Sequence, residues 1–167
     1  MSHIAVHIHA WVRTKHPKGD FTVDRKYFRQ MRRGHRHVRE KWGKCPPVLR
    51  EHKTDGTGWG KVVEVFTADD PPDLDWLHDI DFGADENAGI WAAIKPSGPL
   101  KELYLNGRIV DWSPRVKESF ECRHTGKQLK HFLREVSFVS MGHQYATNTP
   151  APAYALSDGF ISMADQG

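Results

Sequence analysis

The chain has 167 residues, the size of one domain, with 38% hydrophobic and 27% charged residues. With a mean hydropathy of −0.63, that balance excludes outright disorder and an integral membrane protein. The net charge of +3 is unevenly spread: nine Lys/Arg fall between Arg25 and Lys44, and none between Val62 and Ile94, where nine carboxylates accumulate.

Two cysteines, Cys45 and Cys122, exclude a disulfide framework and a zinc ribbon. The first residues are apolar but broken by His3, His7 and His9 and lack the charged start of a signal peptide, so an intracellular compartment is expected. The charge blocks read first as solvated or mutually neutralising surface and second as a nucleic-acid contact.

In chain order, Ile4, Val6, Ile8, Ala10 and Val12 alternate with Ala5, His7, His9 and Trp11, the period of a strand with one apolar face. His16 to Asp20 is turn chemistry. Thr22 or Asp24 caps a helix with Tyr27, Phe28 and Met31 on its apolar side; it carries the basic run and ends by Gly43, ahead of Pro46 and Pro47. Val48 to His52 is a short edge strand after two prolines, Asp55 to Gly58 a turn, and Trp59 to Phe66 a strand with Val63 and Val65 on one side and Val62 and Phe66 on the other.

The acidic stretch 67–88 is a loop holding at most one helical turn, near Asp73 to His78. Ile90 to Ile94 is an apolar strand. Leu100, Leu103 and Tyr104 form a short helix that stops at Asn106-Gly107, and Arg108 to Arg115 is a strand. Gln128 to Leu133 reads as a short helix, and Glu135 to Ser140 as a clean alternating strand. From about Tyr145 the chain is an extended Ala/Pro-containing tail, dividing it into a 1–145 domain and a 146–167 tail. The fold class is α+β, mostly an antiparallel β-barrel or sheet with a few surrounding helices.

Eleven histidines make any one of them weak as a signal. The pairs His7/His9 and His35/His37 have metal-binding spacing, but no third ligand accompanies them, and ordinary polar faces are the preferred reading. His52 ends a strand just before a glycine-containing turn, held yet reachable, which suits a general base or a half-buried structural histidine equally. Ser113, in Ile109-Val-Asp-Trp-Ser-Pro-Arg, reads by itself as a strand-end serine bonded to the backbone. Ser137, between Val136 and Phe138, reads as a packed strand residue.

Four segments in succession change that reading: Pro47 to Val62 around His52, Gly89 to Pro96, Gly107 to Arg115 around Ser113, and Leu133 to Ser140. In order and separation they resemble the prohead (capsid maturation) serine proteases of tailed phages, most nearly the Mu-like and scaffold-fused branch, relatives in fold of the herpesvirus assemblins. The resemblance runs from residue 4 to about 155. His52 and Ser113 are 61 positions apart and Ser113 and Glu135 are 22 apart, a layout like that of the family's His, Ser and third member.

The resemblance implies an assemblin-like fold, with His52 as general base, Ser113 as nucleophile and Glu135 as the group that orients the imidazole. Asp20, in Gly-Asp-Phe-Thr-Val, is the alternative third member, and Asp111 is a polar neighbour on Ser113's own face. Pro114 has no N–H, so the amide after the nucleophile cannot stabilise an oxyanion. Gly142 or His143, in the loop after the last strand, or else Arg115, is expected to supply that donor. By the same resemblance the substrates are scaffold and major capsid proteins, with self-association and self-cleavage in the tail. The site would be the assembling procapsid in the host cytoplasm, and no cofactor, metal or membrane is called for. A non-catalytic assembly protein of the same fold is the alternative, and a nucleic-acid-binding protein using the basic helix a further one.

Overall fold

The computed structural model describes residues 3–14, 21–53, 58–73 and 80–140. Among them, strands β1 (Ile4–Ala10), β2 (Val12–Thr14) and β3 (Phe21–Val23) lead into helix α1 (Arg25–Trp42), followed by β4 (Val48–Arg50), β5 (Gly60–Thr67), β6 (Gly89–Pro96), α2 (Gly98–Leu105), β7 (Ile109–Glu121) and β8 (Gln128–Ser140). The class is α+β with strands predominating. The strands form a sheet ordered β1-β6-β5, a β2-β3 pair and a sheet ordered β4-β8-β7.

These sheets are open, so the barrel half of the sequence expectation is corrected. Where β5 approaches β4, the seam consists of one antiparallel bridge, Pro47 to Lys61, and the bond from the Val62 amide to the Pro46 carbonyl at 2.8 Å. Pro46 and Pro47 have no N–H to return, and a ladder cannot continue through them. Most pairs are antiparallel, but β4 runs parallel to β8, with Val48, Leu49 and Arg50 opposite Val136, Ser137 and Phe138.

The main core fills the space between the two larger sheets and α1. Ile4, Ile8, Ile90 and Ile94 from one sheet meet Val136 and Phe138 from the other, with Met31 from the helix; all are buried to within 1%. Helix α1 begins where Asp24 Oδ1 accepts from the Tyr27 amide at 2.9 Å, and it ends at Gly43 in the left-handed region. Its docking on β5 uses polar contacts as well. The ring Nε2 of His35 lies 2.9 Å from the Val62 carbonyl, and the Arg39 guanidinium donates to the Val63 carbonyl at 2.6 Å. Those carbonyls lie at a break in the β5–β6 register between Val62 and Glu64.

The same break revises the expected faces of β5. An extra residue in one strand reverses the alternation beyond it, so Val62 and Val65 share the main core. Val63 and Phe66 join Trp91, Ile80 and Phe82 in a second cluster on the far side of the sheet. A similar break in β1 between His7 and His9 parts that histidine pair. His7 stacks on Trp91 at 4.8 Å, whereas His9 lies in the core edge-on to Tyr27 at 5.4 Å.

The helix expected at Gln128 to Leu133 is a strand. β7 and β8 pair over their whole 13 residues, from Glu121 opposite Gln128 to Ile109 opposite Ser140. Burying Leu129 and Leu133 along this hairpin and under α1 outweighs the weak local preference of a six-residue segment. The turn at 16–20, residues 55–57 of the turn at Asp55 to Gly58, residues 74–78 of the expected helical turn and the tail lie outside the described residues; among the described residues of the acidic stretch a helical turn occurs at Asp85–Asn87.

Candidate active site

The β4-β8-β7 sheet has two faces with different chemistry. Trp112, Val136 and Phe138 point into the main core, so their alternates point the other way. In register, Asp111 lies opposite Val139, Ser113 opposite Ser137, and Arg115 opposite Glu135. Residues directly opposite in an antiparallel pair share a face, with Cα atoms about 4.5–5.5 Å apart. Ser113, Arg115, Glu135 and Ser137 therefore form one polar quartet on two adjacent strands.

His52 arrives from the third strand. β4 runs beside β8, and the Glu51 amide donates to the Phe138 carbonyl at 2.9 Å. The chain then reverses in a tight turn closed by the Lys53 amide on the Arg50 carbonyl at 3.0 Å. Glu51 and His52, its central residues, have φ of 53° and 60°, the left-handed pair of a type I′ turn. Neither is glycine, and non-glycine residues pay roughly 1 kcal/mol or more each to adopt this conformation. Such strain recurs where a side chain must be aimed. Here it folds the His52 ring back over β8.

The ring's Nδ1 hydrogen-bonds Glu135 Oε1. That same oxygen accepts from the Ser137 hydroxyl at 3.0 Å, while the Ser137 Oγ accepts from the His52 amide at 3.1 Å. The Arg115 guanidinium lies 3.9 Å away. Glu135 is 4% exposed. Burial by itself pushes its pKa up, but the His52 hydrogen bond and charge, the Ser137 hydroxyl and Arg115 together hold it below the usual carboxylate value. The carboxylate is thus an anion in a sheltered place with its proton donors already arranged. Nδ1 bonded to a carboxylate leaves Nε2 as the ring nitrogen available for proton transfer.

Asp111, two residues before Ser113 on its face, is half-buried and accepts from the Trp112 amide at 2.8 Å. Desolvation pushes its pKa up to about 7, against the small opposing effect of that bond.

No family model, curated protein or solved structure matches the chain. What it can do has to be read from these side chains.

Of the residues singled out in the sequence, the structure brings His52 onto Glu135 and sets Ser113 and Arg115 on the neighbouring strand of the same face. Asp20, Gly142 and His143 lie outside the described residues. Sequence reasoning missed Ser137, which binds both the carboxylate and the backbone of the His52 turn. The signal available was its spacing of two from Glu135, which places both on one face of a strand. Among the described residues no group of three or more His, Cys, Asp or Glu is arranged to hold a metal.

Proposed function

We propose that the chain is a serine endopeptidase of the prohead type, with an assemblin-like arrangement of Ser113, His52 and Glu135. The observation carrying this reading is the His52 imidazole, held through Nδ1 on a buried carboxylate at the strand next to Ser113.

A serine hydroxyl is a poor nucleophile until a base takes its proton. His52 Nε2 would accept the Ser113 proton as Oγ forms a bond to the substrate carbonyl carbon, and the carbonyl π electrons would move onto oxygen. Collapse of that tetrahedral species breaks the C–N bond. The imidazolium returns its proton to the leaving amine, and Glu135 stabilises the cation in between. Water, deprotonated by the same imidazole, then cleaves the Ser113 ester.

Because Pro114 lacks an N–H, the oxyanion needs another donor. The Arg115 guanidinium, on the same face as Ser113, is the described group that suits the task; the amides of Gly142 and His143 remain in the proposal on the strength of the resemblance. The natural substrates in this reading are scaffold and major capsid proteins, with the chain's own tail, during head assembly inside the procapsid.

Co-expression with the scaffold and capsid proteins of the same particle tests it. Wild-type chain is expected to shorten them. Ser113→Ala and His52→Asn should leave them intact, the latter because asparagine keeps the left-handed turn and removes the base. Glu135→Gln should lower the rate by roughly 10³-fold or more, and by less if Asp20 contributes. Processing that is unchanged in Ser113→Ala would refute the assignment.

A further inference from the structure

Helix α1 carries a second feature that proteolysis does not use. Arg29, Arg32, Arg33, Arg36 and His37 fall at helical spacings on one side of it and, with Glu40 and Lys127, line a groove of about 390 Å³. The groove is built rather than incidental. The Arg32 guanidinium lies 4.9 Å over the Phe28 ring. The His37 ring bonds the Thr125 hydroxyl at 2.7 Å, fastening the β7–β8 turn to the helix so that Lys127 forms the facing wall.

The acidic stretch neutralises the other side of the helix. Arg25 pairs with Asp69 at 3.0 Å and Arg39 reaches Glu64 at 3.5 Å; Arg36, which also lines the groove, reaches the same carboxylate at 3.7 Å. Within the groove, Glu40 is the one lining carboxylate against five Arg and Lys side chains, one of which, Arg36, is shared with Glu64.

We infer that this groove binds the phosphate backbone of a nucleic acid. From Arg29 to Arg36 is seven residue steps, about 10 Å of helix axis, and four successive phosphates on one strand, three steps of about 3.4 Å, cover a similar axial length. Four of the five cations are arginines, whose planar forks match phosphate oxygens. An acidic polypeptide fits less well. It gains stable docking from apolar anchors or strand addition, and among the described residues the exposed large hydrophobics are Tyr104 and Leu105 on α2, not in the groove. A phosphodiester chain instead gains from released counterions, with no apolar contact required. This inference stands apart from the protease reading.

Fluorescence anisotropy of a short labelled DNA duplex with the full chain, between about 50 and 200 mM salt, tests it. Binding should weaken with a log–log slope of about −4, as expected for four to five phosphate contacts. The combined variant Arg29→Gln, Arg33→Gln, Lys127→Gln should bind at least tenfold more weakly, with a slope reduced by about 2–3, while Ser113→Ala should bind as wild type does. Three results would overturn the inference: no binding at low salt, a wild-type slope in the triple variant, or displacement of the DNA by poly-glutamate at equal charge concentration. The last would assign the groove to an acidic protein.

Discussion

Ser137 shows how much a single hydroxyl can organise. It donates to Glu135 and accepts from the His52 amide, so it ties the orienting carboxylate to the strained turn that carries the imidazole. Removing it leaves both groups in place but less constrained. Ser137→Ala should cost about 1 kcal/mol of stability, the ordinary worth of a buried hydrogen bond, and slow serine-directed inactivation by roughly tenfold or more through misorientation. Glu135 loses a hydrogen bond that favours its ionised form, so its pKa rises toward the usual carboxylate value. A variant with reduced stability and an unchanged inactivation rate would make Ser137 a packing residue and nothing more. Residue-level reading of the sequence reached His52 as one of two equal readings from its place before the turn, and Ser113 and Glu135 only through family resemblance. The alternation of Glu135 with Ser137, and of Asp111 with Ser113 and Arg115, was legible as shared faces. That the two faces are adjacent was not, because register across β7 and β8 depends on pairing between segments about twenty residues apart.

At the scale of elements, local patterning gave α1 with its Asp24 cap and Gly43 stop, α2, and the strands near β1, β5, β6 and β7, since each carries its own periodicity and punctuation. It failed where neighbours decide. Gln128 to Leu133 became strand under the pull of β7, and the breaks at His7/His9 and Val62/Glu64 reversed faces that simple alternation assigned. The parallel pairing of β4 with β8, which brings His52 to the site, carries no local signature at all. Two glycines locate the tightest approaches in the β1-β6-β5 sheet. At Gly60, φ is 138° and a Cβ would sit 2.6 Å from the Lys95 carbonyl oxygen; at Gly89, φ is 135° and a Cβ would sit 2.0 Å from that of His9. Since the clash at Gly89 is with backbone, no rotamer relieves it. Gly89→Ala should destabilise the chain by about 3 kcal/mol or more in denaturant titration. A variant within 1 kcal/mol of wild type would mean that β1 and β6 do not pair as described.

The whole molecule should respond to acid through its buried imidazoles. Burial lowers the pKa of His7, His9, His35 and His131, that of His9 to about 3. Such groups stay neutral in the folded chain and take up protons on unfolding below about 6.5, so stability falls as pH falls. Each proton taken up contributes a slope of about 1.4 kcal/mol per pH unit, and His9 alone supplies almost one between its two values. Asp111 acts in the opposite sense: with its folded pKa raised to about 7, it favours the folded chain as pH drops from 7 toward 4. His9 and Asp111 each contribute close to one proton and nearly offset one another, so the net decline rests on His7, His35 and His131, whose shifts share the sign of His9. Glu135, held low by its partners, adds a further loss once the pH falls below the usual carboxylate range and through its folded value. Denaturant midpoints should therefore decline from pH 7 to pH 5, and His9→Phe should flatten that decline by close to one proton. A midpoint that stays level or rises over that interval would contradict the burial of these rings.

Everything proposed about catalysis depends on Ser113 being activated by His52, and mass spectrometry of the intact chain after treatment with a serine-directed fluorophosphonate measures that most directly. A single adduct mapping to Ser113, absent in His52→Asn and slowed in Glu135→Gln, is the predicted result. An unmodified Ser113 in folded wild-type protein, or equal labelling when His52 is replaced, would contradict the account.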